Sequence, residues 1–451
     1  MMNASRKRRW SLDSRASGRV SAPRSQVEPF VSRLFRRLRC LEQFGRMLFQ
    51  GARSLVRPVP EGFAQSTAAT PAQYKEFANS LELPDRPMPL TKFERAVPGE
   101  AILIGRMARI AAHAVISNYC ATKIDDCSGH AMRDQHAKSH GCVKAEFIVR
   151  DDLPAEFTTS LFRPGARYPA VVRFSNGLGR RQSDKKVDAR GMAIKLRGAE
   201  GATLLRTLAP DRTRAGEHDF VLSSFPVFFC RDAVDYSELM NLVSAPHGTW
   251  REALDLIKRV LEFGVRNPRQ SVMFLLTGVL SLVTIRNPLT ATYHSMSPYL
   301  FGDDMVVRYI VGPARGRNDS ARWRTFLTWP RSEHFLRDAL VSDLDPAMHR
   351  PSDDFALDFS VRVRHSATTD DAEDASRWWI SPRDRTVRLG KIEIPKQNFL
   401  TPDQEYECEH MTFNPWNCLE QHRPLGSINR MRLAVYLASL QVRRKLNMVA
   451  S

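Results

Sequence analysis

Apolar and polar positions alternate along several short stretches of this chain. Val143–Val149 (VKAEFIV), Ala170–Phe174, Met192–Leu196, Phe220–Leu222, Val306–Val311, Phe355–Arg364 and Val387–Ile394 carry β-branched and aromatic residues in alternating or β-rich runs. Gly, Pro, Asp and Asn separate them, so each stretch is an expected strand. Three- and four-residue steps predict helices instead from Glu100 to about Asn118, through a block over Tyr236–Val283, and from about Ile428 to Leu446. Strands with a helical insert and a terminal helix predict an α+β fold: a closed antiparallel β-barrel, or an antiparallel sheet, with helices around it.

The start of the chain reads differently. Residues 1–25 are charged and Ser-rich with few apolar positions, a composition that cannot fill a core. From Phe30, Val31, Leu34, Phe35, Leu38, Leu41, Phe44 and Leu48 recur at helical spacing with Arg33, Arg36, Arg37 and Arg39 between them. A basic amphipathic helix of this kind suits an anionic membrane surface or an acidic partner, and equally a helix packed on its own core. An Arg-rich, acid-poor start also resembles a transit peptide. The expected layout is a basic, partly disordered leader over 1–60, a Pro-, Ala- and Ser-rich linker or arm over 61–90, and one domain over 91–451.

Charge follows that division. Lys and Arg number 67 against 49 acids, a net +18, yet residues 1–60 alone hold fourteen basic residues against Asp13, Glu28 and Glu42. The body is therefore mildly basic and lacks a basic stripe with interleaved aromatics, so no nucleic-acid partner is expected despite Arg6–Arg9 (RKRR). Seven scattered cysteines with no CxxC point to a reducing compartment and a cytoplasmic protein rather than a disulfide-stapled secreted one. The longest uncharged apolar run, Ser271–Ile285, has fifteen residues. A membrane span takes about 20, so a buried or interfacial helix is expected there.

The densest polar cluster is Cys120, Cys127, His130, Arg133, His136, Lys138 and His140. Cys and His are zinc ligands, but this spacing matches no compact zinc template. The wider context supplies another reading. Arg133-Asp134-Gln135-His136-Ala137-Lys138 leads into the strand at Val143. Val172-Arg173-Phe174-Ser175 follows, then Asp188-Ala189-Arg190-Gly191-Met192-Ala193-Ile194-Lys195, then Pro226-Val227-Phe228-Phe229-Cys230-Arg231-Asp232. Far downstream, Phe413-Asn414-Pro415-Trp416 precedes Arg432-Leu433-Ala434-Val435-Tyr436, with Arg443 seven residues on. In this order the segments resemble the haem-binding core of the catalase family, over roughly residues 90–446.

The resemblance implies haem b, with Tyr436 as the axial iron ligand and Arg432 one helical turn before it. It makes His136 the distal catalytic group, oriented by Ser175. Arg133, Arg173 and Arg443 would hold the haem propionates, and Phe174 and Phe228, with Phe225 and Phe229, would line the porphyrin. The physical chemistry of these residues agrees. Tyrosine ligates haem iron as the phenolate, although a free phenol ionises only near pH ~10. Arg432 and Tyr436 share a helix face, and a guanidinium there favours the charged oxygen. Splitting a peroxide needs a group that takes and returns a proton, which histidine does near neutrality. Arginine suits propionates because its fork matches a carboxylate.

Two departures shape the expected function. The place of the family's distal asparagine falls on Ser223, with Ser224 beside it, and Gln135 stands before the histidine where a small apolar residue is usual. Little chain follows Tyr436, which resembles the short form without an appended C-terminal domain. With the apolar insert over 253–285, the implied activity is a haem-dependent peroxidase that reduces or rearranges hydroperoxides, organic or lipid ones, through a ferryl state. A fatty-acid hydroperoxide would be the partner molecule, with peripheral membrane contact through 30–50 and 271–285. The alternatives are a true catalase acting on hydrogen peroxide, and a non-catalytic haem- or lipid-binding protein at a membrane surface.

Overall fold

The computed structural model describes residues 89–125, 130–186, 188–209, 213–243, 262, 265, 268, 285–314, 332–347, 355–364, 366–381 and 384–450. The leader, most of the arm and nearly all of the apolar insert, Ser271–Thr284 included, lie outside them. Among the described residues are strands β1 (Ser139–Val149), β2 (Arg167–Asn176), β3 (Arg190–Arg197), β4 (Glu217–Ser223), β5 (Tyr293–His294), β6 (Tyr299–Phe301), β7 (Met305–Pro313), β8 (Phe355–Arg364) and β9 (Arg385–Ile394). The helices are α1 (Glu100–Asp125), α2 (Leu204–Leu208), α3 (Ala233–Val243), α4 (Phe335–Leu344), α5 (Thr369–Glu373), α6 (Pro402–His410) and α7 (Ser427–Ala450).

All strand pairs are antiparallel, in the order β5-β4-β3-β2-β1-β9-β8-β7, and β5 pairs back onto β7. Eight strands thus close into a barrel, with β6 forming a hairpin outside the ring on β7. Closure removes the exposed sheet edges that would otherwise recruit another chain. Every long strand lies within a few residues of its expected stretch, because each has one face buried and one turned to helices or solvent. Inward positions such as Val143, Phe147, Val172, Phe174, Ile194, Phe220, Tyr309 and Phe359 belong to one apolar core. Phe359 stands at its middle, with ring centroids 5.0 Å from Phe147, 5.9 Å from Phe162, 4.9 Å from Phe220 and 5.6 Å from Tyr309.

Outside the barrel, α1 packs along α7. Ala108 meets Ala434 and Ala438, small residues that let the helix backbones approach closely, and Ala112, Val115 and Ile116 cluster with Val442 and Leu446. Arg430 fastens the start of α7. Its guanidinium is buried and reaches Glu94 at 2.7 Å, Glu100 at 2.6 Å and Glu373 at 3.0 Å. One side chain therefore joins the chain entering α1, α1 itself and α5 through three ion pairs, and a buried cation surrounded by carboxylates is held rather than expelled. No helix among the described residues is long and apolar enough to cross a membrane.

Phe359→Ala is expected to lower stability by about 3–5 kcal/mol, since four rings lose their common partner and the barrel cannot collapse onto the gap. A denaturant titration against the parent chain measures it.

Candidate functional site

The outward face of the barrel carries a short row of polar positions. Ser175 on β2 pairs with Gly191 on β3, Gly191 with Ser223 on β4, and Ser223 with His294 on β5. Residues directly opposite in antiparallel strands share a face. The row therefore runs hydroxyl, bare Cα, hydroxyl, imidazole across four strands.

His136 lies on that bare position. A Cβ built on Gly191 would stand 2.3 Å from His136 Nδ1 and 2.8 Å from Ser175 Oγ, so only glycine lets the ring seat there. Nδ1 is 3.1 Å from Ser175 Oγ. The backbone of His136 is left-handed, φ 59°, a region unusual for a residue with a side chain and frequent at functional sites. Three bonds hold it. His136 N–H donates to Gly177 O at 2.9 Å, Ala137 N–H to Leu178 O at 3.1 Å, and Arg173 Nη2 to His136 O at 2.9 Å. Burial, with the Arg173 guanidinium adding to it, pushes the imidazole down to about 4. At neutral pH it is the free base.

Tyr436 projects from α7. Arg432, one turn earlier, donates from Nη2 to Tyr436 Oη at 3.2 Å, and its guanidinium stands 5.4 Å from the ring centroid. Arg432 is itself fixed by Asn429 Oδ1 at 3.1 Å and Ser297 Oγ at 3.3 Å. Almost every neighbour of Tyr436 on this helix is buried, while Tyr436 and Val435 are only half-buried. Phe228 stacks on Phe229 at 4.5 Å and packs with Met107 and Met431, against Val435.

Arg133, Arg173 and Arg443 converge on one place. Arg133 donates to Glu409 Oε2 at 3.2 Å and to Met411 O at 2.6 Å; Arg443 donates to Glu409 O at 2.6 Å; Arg173 Nη2 is 4.0 Å from Glu409 Oε1. Burial raises the Glu409 carboxyl, but the three guanidiniums outweigh it and hold it below its ordinary value. Burial and the nearby Arg133 push Arg443 down to about 9. The Nε groups of Arg173 and Arg443 are buried with no hydrogen-bond partner, donors with spare capacity for a further acceptor.

The expected residues thus fall into three groups: His136, Ser175 and Ser223 on the row; Arg432 and Tyr436 on α7, with Phe228 nearby; and the arginines around Glu409. Phe174 is a correction. The two-residue period of β2 turns it away from Arg173 and Ser175, and it packs in the barrel core 6.1 Å from Tyr293. Glu409 was missed, since a lone glutamate 276 residues from Arg133 carries no local signal. His294 was missed because only barrel closure brings it beside Ser223. The cysteine pattern pointed to a reducing compartment rather than a disulfide-stapled domain, yet Cys142 and Cys408 form a disulfide, a contact made by the fold across 266 residues. Cys120 falls on α1 and Cys127 lies outside the described residues; among the described residues, no cluster of His, Cys, Asp and Glu is grouped to hold a metal ion.

Comparison with known proteins adds an independent finding. A family model described as catalase matches residues 131–277. Catalase C of Rhizobium meliloti (strain 1021) is 34% identical over 110 residues, 24% of this chain and 13% of that protein. Catalase HPII of Mycobacterium avium is 30% identical over 148 residues, 32% of this chain and 19% of that protein. The matched stretch thus spans less than a fifth of either relative. Among solved structures, a fungal catalase and catalase A of Saccharomyces cerevisiae each superpose with a TM-score of 0.50 at 17% identity, over 73% of this chain and 62% and 64% of theirs. At that identity the likeness is one of fold.

The core histidines set a pH dependence. Burial pushes His140 and His422 down to about 3. In the unfolded chain each takes a proton near pH ~6.5. Between those values the unfolded state binds more protons, so stability falls as pH drops through the window from 6.5 toward 3. Denaturant midpoints measured across that window should decline, and His422→Gln should decline less steeply.

Proposed function

Because the chain belongs to the catalase family, we propose that it is a haem-dependent peroxidase acting on hydroperoxides, with organic or lipid hydroperoxides as the favoured substrates. The observation that carries this reading is the Arg432–Tyr436 hydrogen bond: a buried guanidinium donates to a half-buried phenol oxygen, the pairing that suits a phenolate iron ligand. The residues present fit a haem. Tyr436 supplies an oxygen donor, Phe228 and Val435 an apolar flank, and Arg133, Arg173 and Arg443 gather cationic donors around the single residue Glu409, two of them with an uncommitted Nε–H. Bound there, haem would supply the iron centre at which a peroxide O–O bond is cleaved.

The chain's own residues handle the proton. His136, unprotonated at neutral pH, takes the hydroperoxide proton at Nε2, the ring nitrogen that Ser175 does not hold. It returns that proton to the departing oxygen. Ser175 and the Gly191 seat keep the ring from turning while the proton is on it. Ser223, next in the row, offers one hydroxyl where an asparagine amide would offer two N–H donors. Serine is also the shorter side chain, which supports a substrate larger than hydrogen peroxide. Membrane contact through 30–50 and 271–285 belongs to the same reading.

A true catalase is the second reading, favoured by the intact His136–Ser175 pair, which serves hydrogen peroxide equally well. Oxygen release from hydrogen peroxide far faster than oxidation of a dye substrate would select it.

Purified protein should show a high-spin ferric haem spectrum of tyrosinate type that Tyr436→Phe alters or abolishes; a colourless parent protein overturns the proposal. His136→Ala should keep the pigment and lose about 10²–10⁴-fold in peroxide turnover. Unchanged turnover would mean a haem-binding protein without catalysis. In the parent enzyme, the acid limb of kcat/KM should fall with an apparent pKa of about 4, because protonated His136 cannot accept the substrate proton.

A further inference from the structure

Helix α6 is built from clear signals. Thr401 caps it by accepting from Gln404 N–H, Pro402 opens it, and Asp403 and Glu405 fill its first turn. Its last turn does something else. The carbonyls of Cys408, Glu409 and Met411 and the Glu409 carboxylate form the acceptor platform for Arg133 and Arg443, with Arg173 close by. A helix C-terminus, with its unpaired carbonyls, is a natural seat for cations.

What fixes that turn to the barrel is the Cys142–Cys408 disulfide. Cys142 lies on β1 directly opposite Arg173 on β2, and Cys408 precedes Glu409. The bond therefore ties together the residue that faces one arginine and the residue whose carbonyl receives another. Besides a 3.6 Å contact of Cys408 Sγ with Ser139 Oγ and edge contacts of Tyr406 and His410 with the His130 ring, the other side-chain ties of α6 are weak. Arg337–Glu405 at 2.8 Å and Arg197–Glu407 at 3.4 Å are exposed pairs, each worth about 0–1 kcal/mol. Cys142 is half-buried, within reach of a small reductant, whereas Cys408 is buried.

We propose that the Cys142–Cys408 disulfide is a redox anchor for the arginine platform: closed, it holds Glu409 and its carbonyls under the three guanidiniums, and open, it releases them and loosens retention of the haem. The proposal rests on the haem reading above. The charges support it. Three guanidiniums face one carboxylate, and the two propionates of a haem complete the balance. Burial and the neighbouring Arg133 already push Arg173 well below its ordinary value, so withdrawal of Glu409 would leave the cluster under-compensated. Opening takes two electrons and two protons from a dithiol, which is left as its own disulfide. Closing can use the hydroperoxide itself. One thiol takes the outer peroxide oxygen, giving a sulfenic acid and an alcohol, and the second thiol displaces that oxygen as water.

The test uses the full chain. Alkylation and peptide mapping without reductant should recover Cys142 and Cys408 as one linked pair. In haem-free protein, hydrogen exchange over residues 399–411 should quicken after a dithiol reductant. In haem-loaded protein, transfer of haem to excess apomyoglobin should speed up about tenfold on reduction. Cys142→Ser should transfer haem at the fast rate with or without reductant. Absence of the linked pair, or exchange and transfer rates indifferent to reduction, overturns the proposal. A protein that takes up no haem would sink the functional reading, while exchange over 399–411 would still decide for or against the anchor.

Discussion

The two-residue alternation of a closed sheet governs everything else in this molecule. Once β5 pairs with β7 the barrel has only an inside and an outside, and each strand must send its aromatic and branched side chains to the first. The second face is then free for chemistry. Ser175, Gly191, Ser223 and His294 line up because four strands hold a common register, not because any of them attracts the next. A one-residue slip in β3 would put Met192 under His136 and destroy the seat. Core packing inside the barrel and placement of the imidazole outside it are consequences of the same constraint.

Long strands were legible in the sequence because each is long enough to show its period: β8 runs over Phe355–Arg364 as the alternation predicts, and β1 extends the expected stretch only at its start. The two- and three-residue strands β5 and β6 were not, since a period of two cannot be read from so few positions. The motif residues were legible one by one, but their roles depended on geometry. Phe174 and Arg173 are adjacent in the motif and point opposite ways. Gly191 read as part of a motif, while its function as the ring's seat exists only in the folded sheet. Glu409 and the cysteine pair lie far from their partners in sequence, beyond any local pattern.

Buried charge is distributed with care outside the barrel core. Lys195 sits between Glu217 at 2.9 Å and Asp219 at 2.7 Å, and Lys138 donates to Asp184 at 2.6 Å. With Arg430 among its three glutamates, each cation has carboxylates in direct contact. Removing one partner of such a group leaves an uncompensated charge, commonly costing about 3–5 kcal/mol, whereas the intact group adds little net stability. These networks therefore act mainly as fasteners of geometry. The Arg430 network sets where α1, α5 and α7 lie against one another, and α7 is the helix that presents Tyr436.

The order of elements along the chain has a consequence for biogenesis. The last barrel strand ends at Ile394, and α7 starts only at Ser427. During synthesis the sheet can close, seat its imidazole and bury its aromatic rings before the helix bearing Tyr436 has left the ribosome. Under the proposed haem reading, a group held by that phenol would arrive at a scaffold already folded, so loading would be a late assembly step rather than the nucleus around which the chain collapses. Without such a group the chain would still form a compact barrel in preference to an unfolded polypeptide.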